Sequence, residues 1–284
     1  MVTEATGSIT ARGAAAARAI ESQKSAGERI LYDPYAAAFT DEEGYRFIRW
    51  LDELMPGIHL THVGRAWAID EHVKQEAAAG GQQVVILGAG FDSTAYRMDD
   101  LKERGIRVFE VDEPTTSRQK QAKVQEILGK LPEERVAYIP VDFEQETVED
   151  MRRKMLEKGY ELGARTVFTL GGVLPYLNEE AADTLFRFIA RNAGPGSSIV
   201  FTDFDFVRLA ELGTRDDRVK GFFTEVARVG EPIKFGLGPE RVEGYLQERG
   251  YGKVAMTSVR EVKQRFNKPT HEIDPLYFVV RAWL

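Results

Sequence analysis

Three acids and a glycine pair close apolar runs in this chain. Val84-Val85-Ile86-Leu87 runs into Gly88-Ala89-Gly90, and Arg107–Asp112 ends in Asp112. Val136–Val141 is followed by Asp142-Phe143, and Ser198–Asp203 ends in Asp203. Glycines carry no Cβ, so backbone can approach a ligand closely there. A strand, a glycine turn and a helix start form the usual cradle for a nucleotide cofactor. An acid at the end of the next strand, about 20 residues on, is placed to accept ribose hydroxyls. Glu110 lies two residues before it on the same face. Asp142 beside apolar Phe143 suits an adenine, which has a polar edge and a flat apolar face. One Asp at a strand end caps a helix as readily as it binds a ligand; three in succession favour the ligand. NAD and S-adenosylmethionine both carry adenosine, so these features do not separate them. The third glycine of the dinucleotide fingerprint is absent, with Ser93 in its place.

A reacting centre would also need proton-transfer groups. His59, His62, Tyr176, Asp203 and Asp205 are the candidates for a base. Each has a plainer reading, as a surface or cap histidine or a pocket-lining tyrosine. Arg97, Arg208 and Arg241 could steer an anionic substrate or simply be surface charges. Arg18 could reach a cofactor from an N-terminal cap or remain a solvated charge. The chain has no cysteine and four histidines, which removes disulfides, thiolate metal sites and cysteine nucleophiles and argues against a His-rich metal centre.

The elements that must position these groups alternate. Strands are expected at Val84–Leu87, Arg107–Asp112, Val136–Val141, Thr166–Leu170 and Ser198–Asp203. Helices are expected between them, at about Ser93–Glu103, Thr116–Gly129, Val148–Lys158 and Glu179–Asn192. That rhythm predicts a doubly wound parallel sheet with helices on both faces. Ahead of it, Ala11–Lys24 and Thr61–Ala79 read as helices. Phe39–Leu54 has helical spacing, with Pro34 as a helix start. Behind it, Leu209–Val229 is a polar helical insertion and Pro239–Arg249 a helix. Gln264–Pro275 is a loop between strands at Gly252–Ser258 and Leu276–Trp283, with no helix separating them. Two closing strands imply a partly antiparallel edge.

The 284 residues, 43% hydrophobic, suffice for one large domain with a helical cap. A net charge of −7 argues against a dedicated nucleic-acid binder. No apolar stretch reaches membrane-span length, and the first residues lack the apolar core of a signal peptide. With the missing cysteines, this points to a cytoplasmic enzyme.

These segments, in order, resemble the leucine carboxyl methyltransferase family, including its bacterial S-adenosylmethionine-dependent members. Thr10-Ala11 through Arg18-Ala19-Ile20-Glu21, with Asp33-Pro34-Tyr35-Ala36, is similar to the family's N-terminal cap. Leu87–Ser93 with Tyr96-Arg97 resembles its glycine motif, and Phe109–Pro114 its second-strand acid. Asp142-Phe143, Val173–Leu177 and Gly230-Glu231-Pro232 resemble later motifs. The resemblance implies an α/β fold of the class I methyltransferase type: a Rossmann-like doubly wound sheet of seven strands with a partly antiparallel edge. It implies a cap over residues 1–80, a core over 81–284 and a substrate insertion at about 206–230. It implies S-adenosyl-L-methionine as cofactor. Arg65 would pair with the methionine carboxylate, assisted by Arg18, and Gly88, Ala89 and Gly90 would meet it through backbone. Asp112 would hold the ribose, and Asp142 and Phe143 the adenine. Gly171 stands where the family commonly has a Glu. The implied reaction is O-methylation, with a carboxylate of a small molecule or peptide as acceptor and Tyr176, Asp203 and His62 as catalytic candidates. The alternatives are an NAD-dependent oxidoreductase and a non-catalytic cofactor-binding interaction protein, the second motivated by Gly171.

Overall fold

The computed structural model describes residues 8–284 apart from 144, 229, 272 and 273. Three helices come first: α1 (Ile9–Ser22), α2 (Glu42–Leu54) and α3 (Ile58–Ala78). Then follow β1 (Gln83–Leu87), α4 (Thr94–Arg97), α5 (Asp99–Glu103), β2 (Arg107–Asp112), α6 (Pro114–Leu128) and β3 (Val136–Pro140). The middle holds α7 (Val148–Glu157), β4 (Thr166–Leu170), α8 (Glu179–Asn192) and β5 (Ser198–Phe204). The last third holds α9 (Phe206–Gly213), α10 (Asp217–Arg228), α11 (Val242–Gln247), β6 (Lys253–Ser258), α12 (Val259–Arg265) and β7 (Tyr277–Trp283).

The strands form one sheet in the order β3-β2-β1-β4-β5-β7-β6. All five residues of β1 are buried, as expected of an apolar run covered on both faces. Val84 lies level with Val108 of β2 on one side and Val167 of β4 on the other, both parallel. Strand β7 runs antiparallel to both its neighbours, which makes the expected mixed edge. The chain winds outward from β1 in both directions, so a crevice opens where the carboxyl ends of β1 and β4 diverge. The glycine turn and the Gly171–Tyr176 segment lie on the two sides of that crevice.

Phe109, Phe168, Phe186, Phe201 and Tyr251 fill the core on one face of the sheet. On the other, Val84, Ile86, Val108 and Val200 meet Ile69, Val73 and Ala77 of α3. The first half of α3 belongs to a separate cluster, in which Phe47, Ile48, Leu51, Ile58 and Val63 pack with Phe222 and Val226 of α10. Helix α3 thus ties the cap to the sheet, and α10 reaches across to the cap.

Several local expectations change. The single helix at Ser93–Glu103 is two, broken at Met98, whose ψ of 100° is extended. The insertion is likewise two helices, α9 and α10. Pro34 starts no helix: Asp33 Oδ1 accepts from the N–H groups of Tyr35 and Ala36 and closes a turn instead. A helix does separate the last two strands. Ser258 and Glu261 form a capping box that starts α12 directly after β6. Among the described residues, no helix is long and apolar enough to cross a membrane.

Candidate active site

The glycine turn is held from beneath and from the cap. Gly88 and Gly90 both have left-handed backbone, with φ of +64° and +44°. A Cβ on Gly88 would come within 2.2 Å of Val173, so only glycine lets the turn after β1 pack against the segment after β4. Asp112 ends β2 with its carboxylate turned to this turn. It accepts from Gly90 N–H and, at 2.7 Å, from Glu113 N–H. Each carboxylate oxygen keeps acceptor capacity beyond those bonds. Burial pushes Asp112 above the usual carboxylate range.

Arg18 lies at this turn, with its guanidinium engaged by protein. Its Nε donates to Asp33 at 2.8 Å and its Nη2 to the Phe91 carbonyl at 2.7 Å. Ser93 also donates to Asp33, at 2.6 Å. Burial raises Asp33, but Arg18, Arg97 and Ser93 outweigh it and hold the carboxyl low. Arg97 is neither a surface charge nor a substrate-steering group. It is buried in a bidentate pair with Asp70 of α3, at 2.6 and 2.7 Å. Glu110 is buried under the turn with Lys120 at 2.8 Å and Tyr96 at 2.9 Å. Asp33, Ser93, Asp70 and Lys120 brace the turn and its neighbours, and the sequence did not mark them for that. The Asp before Pro34 and the Ser at the missing third glycine were the available signals.

Asp142 and Phe143 follow β3 at the outer rim of the crevice. Phe143 is 50% exposed, so an apolar face is presented to solvent there. Gly171, just beyond β4, is exposed. Its backbone is ordinary, and a Cβ there would meet the end of Ile69 at 3.2 Å.

Beside the turn lies a cavity that gathers all three catalytic candidates, His62, Tyr176 and Asp203, together with Arg65. Apolar walls come from Phe47 and Leu51 of α2, Ile58 of α3, and Phe222 and Val226 of α10. Arg65 packs its guanidinium on Gly172, whose φ of +77° and missing Cβ make the space. No described residue forms an ion pair with Arg65. A lone guanidinium in such surroundings calls for an anion. His62 Nδ1 is buried with no hydrogen-bond partner. Burial, then Arg65, Arg18 and His59, push His62 well below the usual imidazole value, so it is neutral at pH 7. Tyr176 is pushed up by burial and stays protonated. Asp203 accepts from Leu237 N–H at 3.2 Å and Gly238 N–H at 3.3 Å, and burial pushes it up to about 7.

The other candidates lie elsewhere. His59 pairs with Asp52 at 2.6 Å, away from the cavity lining. Asp205 caps α9 by accepting from Arg208 N–H. Arg208 pairs with Asp205 and Glu240, and Arg241 with Glu179, all at the surface.

Strand order, the antiparallel β7 and a glycine cradle at the β1–β4 crevice define a class I methyltransferase fold. A solved structure from Thermobifida fusca, described as a methyltransferase, superposes with a TM-score of 0.60 at 17% identity, over 96% of this chain and 93% of the other. A duf574 family protein from Streptomyces avermitilis gives 0.64 at 16% identity, over 93% and 99%. These likenesses concern the fold. The leucine carboxyl methyltransferase family model matches residues 11–190, and the chain belongs to that family. A Mycolicibacterium smegmatis protein named as an S-adenosyl-L-methionine-dependent methyltransferase is 30% identical over 96% of this chain and 89% of its own length. YktD of Bacillus subtilis, named likewise, is 29% identical over 80% and 68%. Family membership sets aside the oxidoreductase alternative. The family match ends in α8, so β5, α9–α11 and the segment around Glu231 lie beyond it.

Proposed function

We propose that this chain transfers a methyl group to a carboxylate oxygen of a small molecule or peptide held in the cavity. It is an S-adenosylmethionine-dependent methyltransferase, and that cofactor supplies an electrophilic methyl group on a sulfonium. The residues fit such a cofactor. The unpaired Arg65 answers a carboxylate, and the Gly88-Ala89-Gly90 backbone leaves room for close approach. Asp112 has acceptor capacity for two ribose hydroxyls, and Asp142 with Phe143 offers an adenine one polar and one apolar contact. Arg18 acts by holding the Phe91 carbonyl and so the shape of the turn. In this reading the cap of residues 1–80, of which 1–7 lie outside the described residues, covers the site, 81–284 form the core, and the insertion at about 206–230 supplies one wall of the acceptor cavity.

The carrying observation is the poverty of strong bases in the cavity. His62 is neutral and weakly basic there, and Tyr176 keeps its proton. A carboxylate acceptor is already ionised at neutral pH and needs no proton removed. The apolar walls exclude water and align the acceptor, which is most of what such a displacement asks of the protein. Asp203 favours a second reading. A carboxyl near 7 that borders the cavity could take the proton of a hydroxyl acceptor.

The test is transfer of labelled methyl to a panel of apolar carboxylic acids and phenols. Label released by mild alkali is a methyl ester and supports the carboxylate reading. Label stable to alkali is an ether and overturns it.

A further inference from the structure

The methionine end of the cofactor is a zwitterion, and Arg65 answers only its negative group. An ammonium left unpaired beside an apolar cavity is costly. The carboxylates around the crevice are mostly committed. Asp33 serves Arg18 and Ser93, Asp70 serves Arg97, and Asp203 serves the Leu237 and Gly238 N–H groups. Gly171 offers no side chain. Glu231 differs. It forms no ion pair with a described residue, and only one of its oxygens accepts, from the Thr10 hydroxyl.

We propose that Glu231, oriented by the Thr10 hydroxyl that donates to it, receives the α-ammonium group of the cofactor, so that Glu231 and Arg65 grip the zwitterion from two sides. This rests on the cofactor reading above. Thr10, Arg65 and Tyr176 line one cavity. The Tyr176 hydroxyl lies 3.4 Å from Thr10 Oγ1, and Tyr176 feels both the Glu231 and the Arg65 charge. Ala11, next to Thr10, sits 3.2 Å from where a Gly90 Cβ would be. Through Thr10 the pair therefore borders the cavity that holds Arg65, and through Ala11 it lies near the glycine turn. Its position is fixed from both sides. Gly230 turns the chain with φ of +84°, and Glu231 N–H donates to Val226 at 2.9 Å. Lys234 N–H then donates to the Pro175 carbonyl at 2.7 Å, strapping the segment over the loop after β4.

Calorimetric titration of Glu231→Gln with S-adenosylhomocysteine and with 5′-methylthioadenosine tests this. The second ligand keeps the adenosine and thioether but lacks the amino-acid end. The proposal expects S-adenosylhomocysteine to bind at least tenfold more weakly than to the unaltered chain, with 5′-methylthioadenosine unchanged within twofold. Equal weakening of both ligands would make Glu231 a structural latch and overturn the proposal, as would unchanged S-adenosylhomocysteine binding. Failure of the unaltered chain to bind either ligand would overturn the cofactor reading itself. Thr10→Val is the second variant, with a smaller loss expected for S-adenosylhomocysteine alone.

Discussion

Around the glycine turn the buried charges are paired within the protein: Arg18 with Asp33, Arg97 with Asp70, Lys120 with Glu110. Around the neighbouring cavity, Arg65 has no charged partner among the described residues and His62 Nδ1 has none of any kind. The contrast separates two kinds of work. Paired charges fix the backbone of the turn before any ligand arrives, so little ordering is left to be done on binding. Open charges carry a desolvation cost that only a ligand relieves, so they select one. The walls beside them are aromatic and aliphatic side chains of α2 and α10, which can repack for different acceptors.

The largest effect that could break this contrast is on stability. Asp33→Ala would strand Arg18 in the interior without a carboxylate partner, and urea unfolding should show a loss of about 3–5 kcal/mol. Phe222→Leu in the cavity wall should cost only about 1 kcal/mol. Similar costs for the two would mean that the halves are not differently built. Next in size is a change in opposite directions. Arg65→Met removes an unpaired, half-buried cation, so the fold should hold its stability or gain up to about 1 kcal/mol. Methyl transfer should meanwhile fall by roughly 100-fold, about 2.7 kcal/mol of lost ligand contact. A large stability loss instead would show Arg65 to be structural.

The pH dependence sharpens the same point. Asp203 has a folded value near 7, raised above its unfolded one, so its contribution to stability is complete at low pH and is lost as pH rises towards 7. Asp203→Asn should remove a slope of up to ~1.4 kcal/mol per pH unit between about pH 4 and 7, read from urea midpoints against the unaltered chain. With a carboxylate acceptor the transfer rate should not fall as pH drops through 7; a fall there would favour Asp203 as a base. The smallest effect belongs to Gly171→Glu. The backbone there is ordinary and the nearest contact is the end of Ile69, so unfolding should shift by less than about 1 kcal/mol. A larger loss would mean that the rim after β4 is as tightly built as the glycine turn.

Much of the frame was legible because its signals are local. An apolar run, two glycines and an acid at the next strand end mark β1, the turn and β2 within 30 residues of chain. The antiparallel edge followed from two closing strands, although α12 between them was overlooked despite its Ser258–Glu261 box. The supports of the turn were illegible for a physical reason. Arg18 finds Asp33 across 15 residues, Asp70 finds Arg97 across 27, and Ser93 finds Asp33 across 60. A charged residue carries no periodicity that tells a buried pair from a solvated one. Thus Arg97 read as a surface or steering charge, and Asp33 only as part of the cap segment. Glu231 is further still, joined to Thr10 over 221 residues. The catalytic candidates fared unevenly. His62, Tyr176 and Asp203 share the cavity from different elements, His62 in the first turns of α3, Tyr176 in the segment after β4 and Asp203 near the end of β5. His59, one turn before His62, points to Asp52 instead.

The central claim is that the glycine turn with Asp112 is a ready-made S-adenosylmethionine site and the cavity is not part of that preassembly. Thermal unfolding with S-adenosylhomocysteine and with NAD, for the unaltered chain and for Asp112→Ala, tests it most directly. At about 100 times its dissociation constant a ligand adds roughly 2.7 kcal/mol, which raises the midpoint by several degrees at about 2–4 °C per kcal/mol. The account predicts that rise with S-adenosylhomocysteine, none with NAD, and its disappearance in Asp112→Ala. A rise with NAD alone, or one that survives intact in Asp112→Ala, would contradict it.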